Sequence, residues 1–254
     1  MKILDILKER HRIGKKSIAV LIDPDKADDP ARLNHLINLA NENCIDFFFV
    51  GGSLITTTNL SEVVSQIKEQ VNIPVVLFPG NSMQLDPEAD AILFLSLISG
   101  RNPDLLIGQH VLAAPILKNN TIEVLPTGYI LINSGRITSV AYISNTTPIP
   151  EDKYSLAACT AMAGEMLGLQ LIYLDAGSGA EREISPKMIS AVRKAVDTPL
   201  IIGGGINTSA KALAALEAGA DMIVIGNALE KDPDMLIEIS DKVYDWNQSL
   251  EARK

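Results

Sequence analysis

The chain has 254 residues, of which 47% are hydrophobic, 21% charged and only 4% aromatic, and it carries a formal net charge of −9. That length suits one α/β barrel with a large aliphatic core, expected as a single domain over residues 1–254. The acidic balance, with no basic stripe to neutralise phosphates, argues against a nucleic-acid partner, and no apolar run approaches the ~18 residues of a transmembrane segment.

Residues 1–12 alternate charged and apolar side chains at helical spacing, which is unlike a secretory signal. The basic cluster Lys8, Arg10, Arg12, Lys15 and Lys16 reads as a solvated helix end. Cys44 and Cys159 match no disulfide, zinc or redox spacing, so two buried, reduced thiols within helices of a cytoplasmic protein are expected.

Short aliphatic runs then follow at 17–22, 46–50, 74–78, 91–95, 123–132, 169–174, 199–202 and 221–225. Continuous apolar runs are the mark of strands covered on both faces, as in a parallel sheet wrapped by helices. Amphipathic stretches at 30–43, 60–71, 102–113, 152–168, 185–196, 208–218 and 232–250 supply the helices. Eight strands with helices between them predict a (β/α)8 TIM barrel. Two irregularities modify it. Between Phe78 and Ala91 only a short span remains, interrupted by Gly80 and Pro87, so the third outer helix is predicted to be absent or reduced. That would leave an apolar flank, for which Phe78, Leu93, Phe94, Leu95, Leu97 and Ile98 are the candidate lining. At 129–143, Asn133-Ser134-Gly135-Arg136 separates two β-like runs and predicts a hairpin added to the fifth strand.

The chemistry of such a barrel sits on the loops after its strands. The first loop, Asp23-Pro24-Asp25-Lys26, offers two carboxylates and an ammonium, a donor set suited to Mg²⁺ and phosphate. Gly51-Gly52-Ser53 ends the second strand. The sixth ends in Tyr173-Leu174-Asp175-Ala176-Gly177-Ser178-Gly179, a carboxylate and a phenol beside a polar glycine loop. The last two strands stop at Gly203-Gly204-Gly205 and Gly226-Asn227 and lead into helix-like segments. Glycine lets backbone approach an anion, and amides at a helix start favour it, so this pair predicts a phosphate site. His11, His35 and His110 fall in predicted helices away from the mouth, and Lys26 is the one lysine in the mouth loops. This disfavours the alternative of a phosphate-binding isomerase, aldolase or synthase acting on a small phosphosugar, which would need a Schiff-base lysine or an acid–base pair.

The ordered motifs IDPDK, GGS, LFPGN, PTGY, SNTTPIP, YLDAGSG, GGGI and GNALEK resemble the geranylgeranylglyceryl phosphate synthase family, also called PcrB-like prenylglyceryl phosphate synthases. The resemblance implies a Mg²⁺-dependent prenyltransferase of lipid biosynthesis. It would join the C3 hydroxyl of sn-glycerol 1-phosphate to a polyprenyl diphosphate, with geranylgeranyl diphosphate the expected donor, and release diphosphate. It places the metal on Asp23 and Ser53. Glycerol phosphate falls to Tyr173, Leu174, Asp175, Ala176, Gly177, Ser178 and Gly179, with Gly204, Gly205, Gly226 and Asn227. Some members carry a phosphate-binding lysine two residues before the metal aspartate; this chain has Leu21 there, and Lys26 is the candidate substitute. Asp175 is the candidate base for the glycerol hydroxyl and Tyr173 its orienting partner. The resemblance further implies a homo-oligomer, dimer or hexamer, and transient contact with a membrane surface.

Overall fold

The computed structural model describes residues 2–252. Its centre is a closed barrel of eight parallel strands in sequence order: β1 Ser17–Ile22, β2 Phe47–Gly52, β3 Val75–Pro79, β4 Ala91–Leu97, β5 Glu123–Leu131, β6 Leu171–Asp175, β7 Leu200–Gly203 and β8 Met222–Ile225. Side chains alternate across each strand. Ile18, Phe48, Leu77, Ile130, Leu174 and Ile202 pack outward beneath the helices. Phe47, Phe49, Val76, Leu93, Leu125, Tyr173 and Val224 fill the barrel.

The outer helices are α2 Pro30–Glu42, α3 Leu60–Gln70, α4 Gln109–Lys118, α6 Tyr154–Met166, α7 Pro186–Arg193, α8 Ser209–Glu217 and α10 Met235–Glu251; α1 Ile3–Ile13, α5 Ser139–Ile143 and α9 Asn227–Lys231 lie elsewhere. Residues 80–90 contain no helix, so β3 passes to β4 through turns and the helical ring is open there, as expected from the short span. The helix predicted over 102–113 begins instead as a π-helical turn, Asp104–Gly108, and continues as α4 beyond Pro115.

Two expectations are corrected. No hairpin extends β5: residues 139–143 form the short helix α5, and the returning chain makes one parallel bridge, Ile132 to Ile149. Within α5 Ala141 is buried, while Tyr142 and the preceding Ile137 face outward, so packing over the barrel mouth overrides the β-branched composition of this run. The thiols are exposed rather than buried. Cys159 is on the outer face of α6, and Cys44 lies past the end of α2 in a left-handed turn, φ 54°.

Helix α1 closes the bottom of the barrel. Ile3 and Leu7 join the interior core, and the amides of Ile3 and Leu4, which have no helical acceptor, donate to the Glu123 carboxylate at 2.6 and 3.0 Å. Nearby, Asp221 accepts from His11 Nδ1 at 3.0 Å, Arg193 Nη1 at 2.8 Å and the Leu200 amide at 2.8 Å. Burial pushes its carboxyl up, but the His11 and Leu200 bonds and the Lys16 charge outweigh this and hold it below its ordinary value. Replacing Asp221 by Ala strands buried cations and is expected to destabilise the chain by about 3 kcal/mol, read from urea unfolding at pH 7. Because the folded pKa is depressed, this stabilisation is present above the unfolded carboxyl pKa and is lost as pH falls through the folded one.

Candidate active site

The loops above the strands enclose a continuous cavity of about 960 Å³ that extends into the gap in the helical ring. Its polar end is lined by Asp23, Ser53, Tyr173, Asp175, Ser178, Gly204, Gly205, Gly226 and Asn227. Its apolar end runs past Phe78, Leu93, Phe94, Leu95 and Leu97 to Leu105 and Ala113. Ile98, expected there too, packs instead between β5 and α6, against Gly128 and Gly164.

Strand alternation decides which residues of the sixth loop reach the cavity. Tyr173, Asp175, Gly177, Ser178 and Gly179 line it, whereas Leu174 and Ala176 point outward into the layer beneath the helices. Of the seven residues expected to hold glycerol phosphate, these two can present only backbone atoms to the cavity side.

Asp175 is buried at the end of β6. The Tyr129 hydroxyl donates to its Oδ2, and the Gly177 amide donates to Oδ1 at 2.9 Å. Burial raises the Asp175 pKa, opposed by these two hydrogen bonds. Burial beside the same carboxylate keeps both the Tyr129 and Tyr173 hydroxyls protonated, far above the usual phenol range. Phe78 stacks on Tyr173 at 5.4 Å between centroids, and Tyr129 lies 5.5 Å from Tyr173, so three aromatic rings pack together beside Asp175.

Across the mouth, Gly204 and Gly205 both adopt the left-handed conformation, φ 80° and 74°. A Cβ at Gly204 would come within 2.8 Å of Asp175 Oδ1, so only glycine permits this approach. The amides of Gly204 and Gly205 donate to no other described residue and are available to an anion. Ser178 Oγ donates to Asn227 Oδ1 at 2.9 Å, tying the β6 loop to the loop that opens α9.

The first loop divides its charges. Asp23 lines the cavity, its Oδ1 accepting the Asp25 amide at 3.2 Å and its Oδ2 lying 3.5 Å from Lys26 Nζ. Burial raises the Asp23 pKa, and the Lys26 charge counters it. Lys26 also donates to Glu230 Oε1 at 2.9 Å, so its ammonium is already paired on two sides. Leu21 lines the cavity and packs near Gly226, where its side chain cannot carry charge. Asp25, read with Asp23 as a metal station, turns away. It accepts from the amides and hydroxyls of Thr56 and Thr57, bonds that draw its carboxyl down to about 2 against the opposing effect of desolvation. This clamp stabilises the fold above the unfolded carboxyl pKa and is lost as pH falls through about 2. Asp25→Asn should therefore lower Tm at pH 6 and lower it less at pH 2, where the carboxyl is already partly protonated, the exposed site limiting the effect to about 1 kcal/mol.

Among the described residues no cluster of three or more His, Cys, Asp or Glu forms a self-sufficient metal site. At the mouth Asp23 contributes a carboxylate and Ser53 a hydroxyl, both hard oxygen donors that line the cavity. That set fits Mg²⁺, which commonly takes one or two carboxylates and fills its remaining positions with water and substrate phosphate.

Three cavity residues were not singled out from sequence. Tyr129 faces inward at the register position opposite Tyr173, and counting alternation back from β5 would have found it. Thr138 lines the cavity from the segment mistaken for a hairpin. His110 was placed away from the mouth, and it lines the apolar end, bonded to Ser96 Oγ at 3.2 Å and edge-on to Phe94 at 4.5 Å. Burial lowers its pKa, so it is neutral and ill-suited to act as a charged acid.

The chain matches the model of the PcrB family over residues 5–243. It belongs to the PcrB family. It is 55% identical to the geranylgeranylglyceryl phosphate synthase of Spirosoma linguale over 97% of this chain and 99% of that one. Its identity to the enzyme of the same name from Korarchaeum cryptofilum is 38%, over 92% and 96% of the two chains. Among solved structures it is similar to (S)-3-O-geranylgeranylglyceryl phosphate synthase from Thermoplasma acidophilum, which was crystallised with its substrate sn-glycerol-1-phosphate. The TM-score is 0.90 at 32% identity, covering 96% of this chain and 99% of that one. PcrB-family membership and the closed barrel agree with the motifs read from the sequence. No helix among the described residues is long and apolar enough to cross a membrane.

Proposed function

We propose that this PcrB-family chain transfers a prenyl group to the C3 hydroxyl of sn-glycerol 1-phosphate, with geranylgeranyl diphosphate as the expected donor. The allylic carbon–oxygen bond to diphosphate breaks, an ether bond forms, and the hydroxyl proton leaves with Asp175 or with the departing diphosphate. One observation carries this reading: a single cavity joins an amide- and carboxylate-lined mouth to an apolar trough opened by the missing helix. Such a space suits an acceptor phosphate at one end and a hydrocarbon tail at the other.

The residues divide the work. Gly204, Gly205 and the loop at Gly226 and Asn227 hold the acceptor phosphate through backbone amides. Asp175, oriented by Tyr129 and Gly177, accepts a hydrogen bond from the glycerol hydroxyl and positions it for attack. Tyr173, with its phenol protonated, donates to the glycerol. The rings of Phe78, Tyr129 and Tyr173 exclude water and turn polarisable faces toward positive charge developing on the allylic carbon. Asp23 and Ser53 would hold Mg²⁺, which when bound neutralises the charge of the leaving diphosphate.

Two surface features support the remaining expectations. Ile107, Val111, Leu112 and Ile116 are exposed around α4, a continuous apolar stripe suited to a homo-oligomer. Ile137, Tyr142 and Ile143 are exposed at the cavity rim and suit brief contact with a lipid surface. The deciding experiment supplies sn-glycerol 1-phosphate and Mg²⁺ with C15, C20 or C35 diphosphates and weighs the products. A C20 ether is expected; absence of any prenyl ether overturns the reading.

A further inference from the structure

Two anionic substrates must enter a cavity whose charged lining, among the described residues, is mostly acidic: Asp23, Asp175, Glu230 and Asp232 against Lys26 and Lys231. Asp23 and Asp175 already have parts in the proposed chemistry. Glu230 has none. It lies on α9, just after the loop at Gly226 and Asn227. Its Oε1 accepts from Lys26 Nζ at 2.9 Å, and its Oε2 faces Asn227 Nδ2 at 3.5 Å. The same ammonium lies 3.5 Å from Asp23 Oδ2. Lys26 is thus shared between the carboxylate proposed to hold the metal and a second carboxylate from the last loop, 204 residues away in sequence. The Lys26 and Glu230 side chains are 39% and 33% exposed and both line the cavity, so a ligand there can reach the pair. An ion pair this open adds little to the fold, and a carboxylate on the wall of an anion site opposes binding. Its effect has to be sought in what it does to Lys26.

A diphosphate seated beside Asp23 is within reach of that ammonium, but Lys26 can turn to it only by giving up Glu230. We infer that Glu230 is a positioning residue, the resting counter-ion of Lys26, which diphosphate displaces on binding and which recovers the ammonium as diphosphate departs. This rests on the reading of the site as a prenyltransferase. The exchange swaps one ion pair for another and breaks no covalent bond. It lowers affinity for the prenyl donor and for free diphosphate alike. The donor, however, also buries a tail in the apolar trough, and that burial compensates it. Released diphosphate has no such hold, so the penalty falls mainly on retention of the product.

The test is Glu230→Gln, whose amide oxygen can still accept from Asn227 while its NH₂ cannot pair with Lys26. Calorimetry with inorganic diphosphate at saturating Mg²⁺ should show about fivefold tighter binding than in wild type, the worth of one exposed ion pair. In the enzyme assay the inhibition constant for diphosphate should fall by the same factor. KM for sn-glycerol 1-phosphate should change less than about twofold, and Tm should fall by no more than a few degrees. Damage to the fold would weaken ligands in general; it would not tighten one of them. Lys26→Met supplies the second arm. It should weaken diphosphate about tenfold, the loss of a hydrogen bond between charged groups. Adding Glu230→Gln to it should change the affinity less than about twofold, because no ammonium is left to release. Equal or weaker diphosphate binding in Glu230→Gln overturns the assignment. So does a fivefold gain that persists in Lys26→Met, which would reduce Glu230 to a repelling charge. If wild type forms no ether, the reading of the activity fails and the calorimetric cycle decides Glu230 separately. A gain that requires Lys26 then supports it, and absence of diphosphate binding by wild type overturns it.

Discussion

Asp175→Asn is expected to lower kcat by about 10²- to 10⁴-fold, the range for loss of a positioned proton acceptor. The fold itself sharpens the loss. Asp175 sits between two donors, the Tyr129 hydroxyl on Oδ2 and the Gly177 amide on Oδ1. An asparagine there can keep its oxygen on the Gly177 amide only by turning its NH₂ to Tyr129, whose hydroxyl must then accept and is left with its own hydrogen unpaired in a buried site. A stability loss of about 1–3 kcal/mol should therefore accompany the kinetic one, and a Tm scan beside the rate assay separates the two. The pH profile gives a second readout. Burial raises the Asp175 pKa, so kcat/KM should fall on the acid side at a pH above the ordinary carboxylate range. Tyr129→Phe removes a hydrogen bond that holds this pKa down, so its acid limb should move to still higher pH. An acid limb that stays in place in Tyr129→Phe would show that another group controls it. Near-normal turnover in Asp175→Asn would leave proton acceptance to the diphosphate.

Asp23→Asn is expected to lower kcat/KM by at least about 10³-fold, because a bound cation contributes several kcal/mol of charge stabilisation and each 1.36 kcal/mol is tenfold. The loss should be partly recovered at high Mg²⁺ if the carboxylate serves mainly to retain the ion. Structure predicts little collateral damage. Asp23 is half-buried, its Oδ1 contact to the Asp25 amide is within reach of an asparagine oxygen, and Lys26 keeps its partner Glu230. Titration of Mg²⁺ against activity in wild type, Asp23→Asn and Ser53→Ala tests the pair together. Identical Mg²⁺ dependence in all three would move the metal elsewhere.

The barrel and its missing helix were legible because both are written in lengths: eight apolar runs, and a β3–β4 span too short for a helical crossover. The phosphate loops were legible because glycine placement is local. What escaped depends on partners distant in sequence. Asp25 resembles a metal ligand until Thr56 and Thr57 arrive from the next loop and take both its oxygens. Leu174 and Ala176 belong to a motif whose members alternate between the cavity and the helix layer, so membership in the motif says nothing about reach. Residues 137–143 have strand-like composition, yet the site above β5 and β6 holds 139–143 as a helical turn. The tyrosine opposite Tyr173 could have been found by counting; the orientation of Thr138 could not.

The plug formed by α1 beneath the barrel makes traffic one-sided. A greasy chain cannot thread along the axis and emerge below, so it must lie down in the lateral trench and later be lifted out of it broadside. For such a path, the time a product stays bound is governed by how firmly its head is gripped and how much trench its tail wets. It is not governed by reptation through a bore. Tails too short to reach the end of the trench should then depart sooner in proportion to the surface they leave uncovered, with no threshold length at which release abruptly stalls.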